Sequence, residues 1–203
     1  MEFSRYLPEI AVAAALAWGS GLRVYAVLFA AGLAGYLGFV ELPQHLRVLS
    51  HPLVLGASGF MTFVEFFADK LPWIDSLWDM VHGFIRIPAG AALAAAAFGD
   101  SGTAVALAAA ILGGTVAAGA YLAKAGARAA LNASPEPFSN WMVSFTEDAA
   151  VPLGLWLAFA HPLVFLALLV VFLVALALLA RAMLRALASL YANGFSRSPP
   201  SGP

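Results

Sequence analysis

No cysteine occurs among the 203 residues, which excludes disulfides, thiolate metal sites and cysteine catalysis and leaves the redox compartment open. Charge is nearly as scarce: 10% of residues are Asp, Glu, Lys or Arg against 63% hydrophobic, and the mean hydropathy is +0.90. Water is therefore not the main solvent of this chain. A net charge of −1 supplies no electrostatic footprint for nucleic acid. No nucleophile stands beside a base at a recognisable spacing, so an enzyme is not expected. Glu2 and Glu9 flank Arg5 ahead of an apolar run that continues past a plausible cleavage site, which argues against a removable signal peptide.

What the chain does have is apolar runs of membrane length, a span needing about 20 residues. The first, from Pro8 to Val40, is too long for one span and is interrupted by Trp18-Gly19-Ser20-Gly21, so it reads as a half-helix, a break and a fuller helix from Leu22 to Gly38. Further spans are expected over 52–70, 103–122, 139–160 and 163–180, while 88–98 is short unless it continues through Pro88 from the amphipathic segment that Pro72 opens. The fold class is all-α: a polytopic transmembrane bundle of about five to seven hydrophobic helices, some short or broken, plus that amphipathic or re-entrant segment. It is read as one membrane domain over 1–192 followed by a disordered tail, 193–203. Arg181, Arg185 and Arg197 place the C-terminus in the cytoplasm by the positive-inside rule, as for a protein of the plasma (inner) membrane. Lys124, Arg128, Lys70 and Arg86 fall on the same side, and Arg47 is the exception. Stripes of small residues such as Gly32, Gly35 and Gly38, or Gly113, Gly114 and Gly119, read as helix-packing surfaces and make a homodimer an expectation.

Against that apolar background the ionisable groups are concentrated. A charge near the bilayer centre costs roughly 2.5–3.5 kcal/mol on insertion scales, so it persists only if paired, wetted or used. Glu65 and Asp69 share a helix face, and Asp75, Asp79, His82 and Arg86 form a stripe at intervals of four, three and four. The stripe is either a polar cavity wall or a self-neutralising interfacial helix. A second group comprises Lys124, Arg128, Asn132, Ser134, Glu136, Ser139, Asn140 and Ser144, followed by Glu147 and Asp148 inside an apolar run. Pro135 and Pro137 make Glu136 extended, and Ser139 is placed to cap the helix that follows. Adjacent helical residues point about 100° apart, so at least one of Glu147 and Asp148 is expected to contact Lys124, Arg128 or the first acidic group. Arg23, just past the break, either snorkels to the surface or pairs with the acids.

Gly21-Leu22-Arg23-Val24-Tyr25, the run from Glu65 to Gly90 with its Ala68-Asp69-Lys70-Leu71-Pro72 and Asp75-Ser76-Leu77-Trp78-Asp79 elements, and Asn132 to Asn140 followed by Glu147-Asp148 resemble the membrane-protein family catalogued as domain of unknown function 4126. The resemblance covers roughly 10–190 and implies a multi-pass bacterial membrane protein. It implies no activity. Ile87 stands between Arg86 and Pro88, where the family commonly has proline directly after the arginine. Glu65-Phe66-Phe67-Ala68-Asp69-Lys70 also looks like the signature of calcium and manganese exchangers, with a spacing of four in place of three and no glycine, departures that remove it as an assignment. The match of Met61–Glu65 to Met142–Glu147, one residue out of register, hints at an internal repeat of the inverted kind common in transporters.

Three functions from different classes follow. One is a small transporter or channel-like protein whose Glu65, Asp69, Asp75, Asp79, Glu147 and Asp148 bind or relay a cation, proton-coupled or divalent, with Arg23, Lys70, Arg86, Lys124 and Arg128 balancing the charge. For a divalent cation, oxygen ligands would come from Glu65, Asp69, Glu147 and Asp148. Another is lipid or anionic head-group handling by the same five bases. The third is an assembly protein whose charges fix helix register. The cation reading leads because the acids are expected to lie deeper than Lys70, Lys124 and Arg128. The bilayer is the expected partner in every case, with a small ion or a lipid head group beside it.

Overall fold

The computed structural model describes residues 3–132 and 137–195, with the side chains of 3–5, 72–73, 75–76, 132, 137–140, 187 and 190–195 outside the description. The described residues form six α-helices and no strand: α1 Phe3–Tyr36, α2 Pro52–Ala68, α3 Pro72–Ala97, α4 Thr103–Asn132, α5 Pro137–Ala160 and α6 Pro162–Phe195. Two short 3-10 turns, Gln44–Ser50 and Gly99–Ser101, complete the connections. Four helical segments are long and apolar enough to cross a membrane: Tyr6–Tyr36, Leu77–Ala97, Thr103–Leu131 and Pro162–Ala186. The 3-10 turn and α2, bent by 66° to each other, make a fifth if taken as one broken span. The expected span over 139–160 is present as α5, but Glu147 and Asp148 lower its hydropathy and it is not among the four. By length and apolarity these helices are compatible with a multi-pass membrane protein.

The helix bounds follow local chemistry. Pro52 opens α2, with the His51 side chain accepting from the Leu53 amide, and Pro72 and Pro162 likewise open α3 and α6. The short run beginning at Pro88 is the second half of α3, which passes through the proline; Pro88 only fails to donate to the Phe84 carbonyl one turn back. α5 begins at Pro137, two residues ahead of Ser139, so Ser139 lies within its first turn and does not precede it as a cap. The break in α1 falls at Arg23, whose backbone is extended (φ −149°, ψ 89°), just beyond the Gly19–Gly21 position expected from sequence. Residues 193–195 are the end of α6, and the remainder of the expected tail, 196–203, lies outside the described residues.

The chain divides into two compact units, 1–167 and 168–203, the division falling within α6. In the first unit α1 is the central element, packed against α2, α3, α4 and α5, and α3 pairs with α4. Its buried face is small and aliphatic: Ala11, Ala13, Ala15, Leu16, Ala17, Val24, Val27 and Ala31. Glycine permits the close approach. A Cβ at Gly21 would strike the backbone carbonyl of Ala117, and one at Gly90 would lie 2.5 Å from the Ala117 Cβ. Trp18 closes part of this unit edge-on to Phe165, with ring centroids 6.2 Å apart.

The unit is inverted relative to a water-soluble fold. Phe84 is 83% exposed, and Leu77, Met80, Val81 and Ile85 of the same helix also face outward, while Asp79, His82 and Arg86 are buried. The polar stripe of α3 is therefore folded into the bundle and its apolar side is turned to the surroundings, the arrangement that lipid favours. An apolar cavity of about 650 Å³ between α1, α3 and α4, lined by residues such as Ile10, Ala13, Ala94, Phe98 and Leu112, contains none of these charges.

Candidate functional site

Five helices of the first unit bring ten ionisable side chains together. Arg23 enters from the break in α1, where the unwound backbone lets the side chain turn into the bundle. Its Nη2 lies 2.8 Å from Asp69 Oδ2 and its Nη1 2.8 Å from Asp148 Oδ1. The same Nη2 donates to the hydroxyl and the carbonyl of Ser144, at 2.9 and 3.2 Å. A planar fork of donors suits this many acceptors, which a lysine would not reach together. Lys124, from α4, sits at the centre: its Nζ is 3.1 Å from Glu147 Oε2, 3.2 Å from Asp69 Oδ2 and 3.3 Å from Asp79 Oδ1. It also donates to the Leu22 carbonyl at 3.4 Å, a group beside the α1 break.

Arg86 of α3 joins two acids, donating from Nη2 to Glu65 Oε1 at 2.8 Å and from Nη1 to Asp79 Oδ1 at 2.6 Å. Arg128, one turn beyond Lys124, lies 3.5 Å from Glu147 Oε2 and 3.8 Å from Asp69 Oδ2. At the edge, Lys70 pairs with Asp148 Oδ2 at 3.3 Å and rests 3.1 Å above the Phe66 ring, a cation–π contact. Trp141 closes over this corner by donating Nε1–H to the Lys70 carbonyl at 3.2 Å. His82 donates Nδ1–H to the Trp78 carbonyl, 2.9 Å away, stacks on the Trp78 ring at 4.0 Å and meets Tyr25 edge-on.

The described acids Glu65, Asp69, Asp79, Glu147 and Asp148 thus face the five bases Arg23, Lys70, Arg86, Lys124 and Arg128, and their formal charges cancel. Of the bases expected nearer the surface, only Lys70 lies at the edge, beside Asp148: Arg23, Arg86, Lys124 and Arg128 are as buried as Glu65, Asp69, Asp79 and Glu147. The depth argument for a cation therefore falls away, because a buried carboxylate in lipid needs a base at its own depth. The four acids expected to hold a divalent cation do not stand side by side. Glu65, Asp69, Glu147 and Asp148 are separated by Arg23 and Lys124, and among the described residues no group of three or more acids or histidines converges to hold a metal ion.

Satisfaction is incomplete at specific atoms. Glu65 is 0% exposed, and its Oε2 has no hydrogen-bond partner; nor do Asp69 Oδ1, Arg23 Nε, Arg86 Nε or the buried Ser20 hydroxyl. Beyond the end of α2, burial would raise the Asp69 carboxyl, but Lys124, Arg23 and Arg128 together hold it below its ordinary value. Burial draws the neighbouring Lys70 below the usual lysine value, against the opposing pull of Asp148.

Of the remaining residues singled out in the sequence, Ser134 and Glu136 lie outside the described residues, as do the side chains of Asp75, Asn132, Ser139 and Asn140. Their backbones place Asp75 in α3, Asn132 at the end of α4 and Ser139 and Asn140 in the first turn of α5. Two participants escape sequence reasoning: the Leu22 carbonyl, because a backbone acceptor carries no residue-type signal, and Tyr25, two positions beyond Arg23 and apolar in most of its surface. Away from the network, His45 pairs singly with Asp100 at 3.1 Å. Trp78 stacks on His82 with its indole nitrogen buried.

No curated protein and no solved structure matches this chain. A family model does match, over residues 10–182, and this stretch contains every described member of the charge network. The chain belongs to the family described as Domain of unknown function (DUF4126).

Proposed function

We propose that this protein is a small multi-pass transporter of the plasma (inner) membrane that passes a cation through the charge network at the α1 break, with its C-terminus in the cytoplasm. The observation that carries the reading is the pair of buried carboxylate oxygens, Glu65 Oε2 and Asp69 Oδ1, left without hydrogen-bond partners inside the charge network. Leaving a buried polar atom unsatisfied costs about 1–3 kcal/mol, so a network serving only to hold helices would be expected to satisfy both. A broken helix with ionisable groups at the break also matches a recurrent transporter plan. Because the ten charges already cancel, an entering cation must exchange with an internal one, by loosening Arg23, Arg86 or Lys124 from a carboxylate. A lipid head group is disfavoured, since each of the five bases already has an acidic partner.

The competing reading, a static network that fixes helix register, is supported by the same charge balance. Purified protein in liposomes separates the two. Uptake of protons, alkali or divalent cations above that of empty vesicles, lost in Glu65→Gln, supports transport. A folded wild-type protein that passes none of these ions leaves the static network as the answer. A parallel thermal-unfolding screen reads binding directly, since a ligand at 100 times its dissociation constant stabilises by about 2.7 kcal/mol.

A further inference from the structure

We infer that the ion taken up at this site is the proton, and that Glu65 is the group that takes it; this rests on the transport reading above. The five described acids are compensated unequally. Asp69 has Arg23, Lys124 and Arg128 around one oxygen, and Glu147 has Lys124 and Arg128 with Arg23 nearby. Asp79 is shared by Arg86 and Lys124, and Asp148 by Arg23 and Lys70. Glu65 has Arg86 as its one ion-pair partner among the described residues, and its second oxygen is buried and unpartnered. The groups around it come from four helices: Arg23 and Tyr25 on α1, Asp69 at the end of α2, Arg86, Asp79 and His82 on α3, and Lys124 on α4. Glu147 and Asp148 of α5 face Arg23 and Lys124 in its place.

The size of the ion follows from the ligand count. Hard metal cations require several oxygens at once, whereas Glu65 Oε2 is one buried oxygen, and among the described residues no group of three or more acids or histidines could hold a metal ion. A proton needs a single lone pair. Its arrival on Oε2 turns the carboxylate into a neutral acid, and the described network passes from five negative and five positive groups to four and five. Arg86 keeps Asp79, at 2.6 Å, but its attraction to Glu65 falls from an ion pair to an ordinary hydrogen bond. That pair joins α2 to α3. Proton uptake therefore loosens α2, the helix already set at 66° to the 3-10 turn before it, and couples the ion to motion.

Infrared titration of the protein in lipid tests Glu65 without depending on transport. A protonated-carboxyl stretch should appear as pH is lowered, shift in Glu65→Asp and vanish in Glu65→Gln, while Asp148→Asn retains it. A titration in which no such band appears, or in which Glu65→Gln leaves it intact, overturns the inference. Should Glu65→Gln fail to fold, the wild-type and Glu65→Asp titrations decide alone. In liposomes carrying an internal pH dye, wild-type proton flux should fall to the empty-vesicle rate in Glu65→Gln. Flux of sodium, potassium or divalent ions without protons sinks the proton assignment and leaves transport standing. A titrating Glu65 with no flux of any ion does the reverse.

Discussion

The two glutamate and arginine partners joined by the Glu65–Arg86 contact are not equivalent. Arg86 serves two carboxylates and is 0% exposed, so Arg86→Gln strands Glu65 in an apolar interior and leaves Asp79 with Lys124 alone. Removing one partner of a buried ion pair costs about 3–5 kcal/mol, and unfolding in detergent should show a loss of that size. Glu65→Gln keeps the shape and a hydrogen-bond acceptor and leaves Arg86 on Asp79. It should unfold within roughly 1 kcal/mol of the wild type, a hydrogen bond's worth. Equal losses in the two variants would mean that Glu65 is held as a permanent anion. Arg23→Lys should be destabilising despite its retained charge, because the Asp69, Asp148 and Ser144 contacts use separate corners of one guanidinium.

Among the elements, α1 and α4 approach closely where Gly21 faces the Ala117 carbonyl. A methyl there cannot be accommodated by turning a side chain, since the obstacle is backbone. Gly21→Ala should cost about 1–3 kcal/mol, the usual penalty of overpacking, and should disturb Arg23 two residues on. Gly56, within α2, has open space around its Cβ position. Gly56→Ala should therefore stabilise by about 0.4–1 kcal/mol through the unfolded chain. Thermal melts of the two variants should move in opposite directions, and a stabilised Gly21→Ala would contradict the close packing of α1 on α4. The continuous α3 bears on the same point: by passing through Pro88 it carries Asp79 and Arg86 and the small-residue packing face of Gly90 on one rod.

For the whole molecule, acid sensitivity follows from Asp69. Its carboxyl in the folded protein is held below the ordinary value of 3.8, so the stability it contributes is fully present above that value and is lost as pH falls through the lower, folded one. Asp69→Asn should be less stable than wild type near neutrality and lose less on acidification, as melts across an acid pH series would show; parallel curves would remove Asp69 as a source. Orientation is testable because the chain has no native cysteine. With a cytoplasmic C-terminus, Arg185→Cys should react with impermeant thiol reagents only from the cytoplasmic face, and reaction from the outside would reverse the assignment.

Composition and periodicity alone determined that this chain is a set of lipid-compatible helices with its chemistry confined to a few charged positions, because a charge within an apolar run is conspicuous and costly wherever it occurs. The helical repeat likewise placed Asp79, His82 and Arg86 on one face. Which acid meets which base was decided by tertiary structure. Arg23 reaches Ser144 across 121 residues of sequence, and no local rule spans that distance. The equal depth of the bases, the shift of the α1 break to Arg23 and the incomplete pairing of Glu65 also arise only in the packed bundle. They depend on how near Gly21 and Gly90 let α1, α3 and α4 approach, a distance set by backbone contact between helices far apart in the chain.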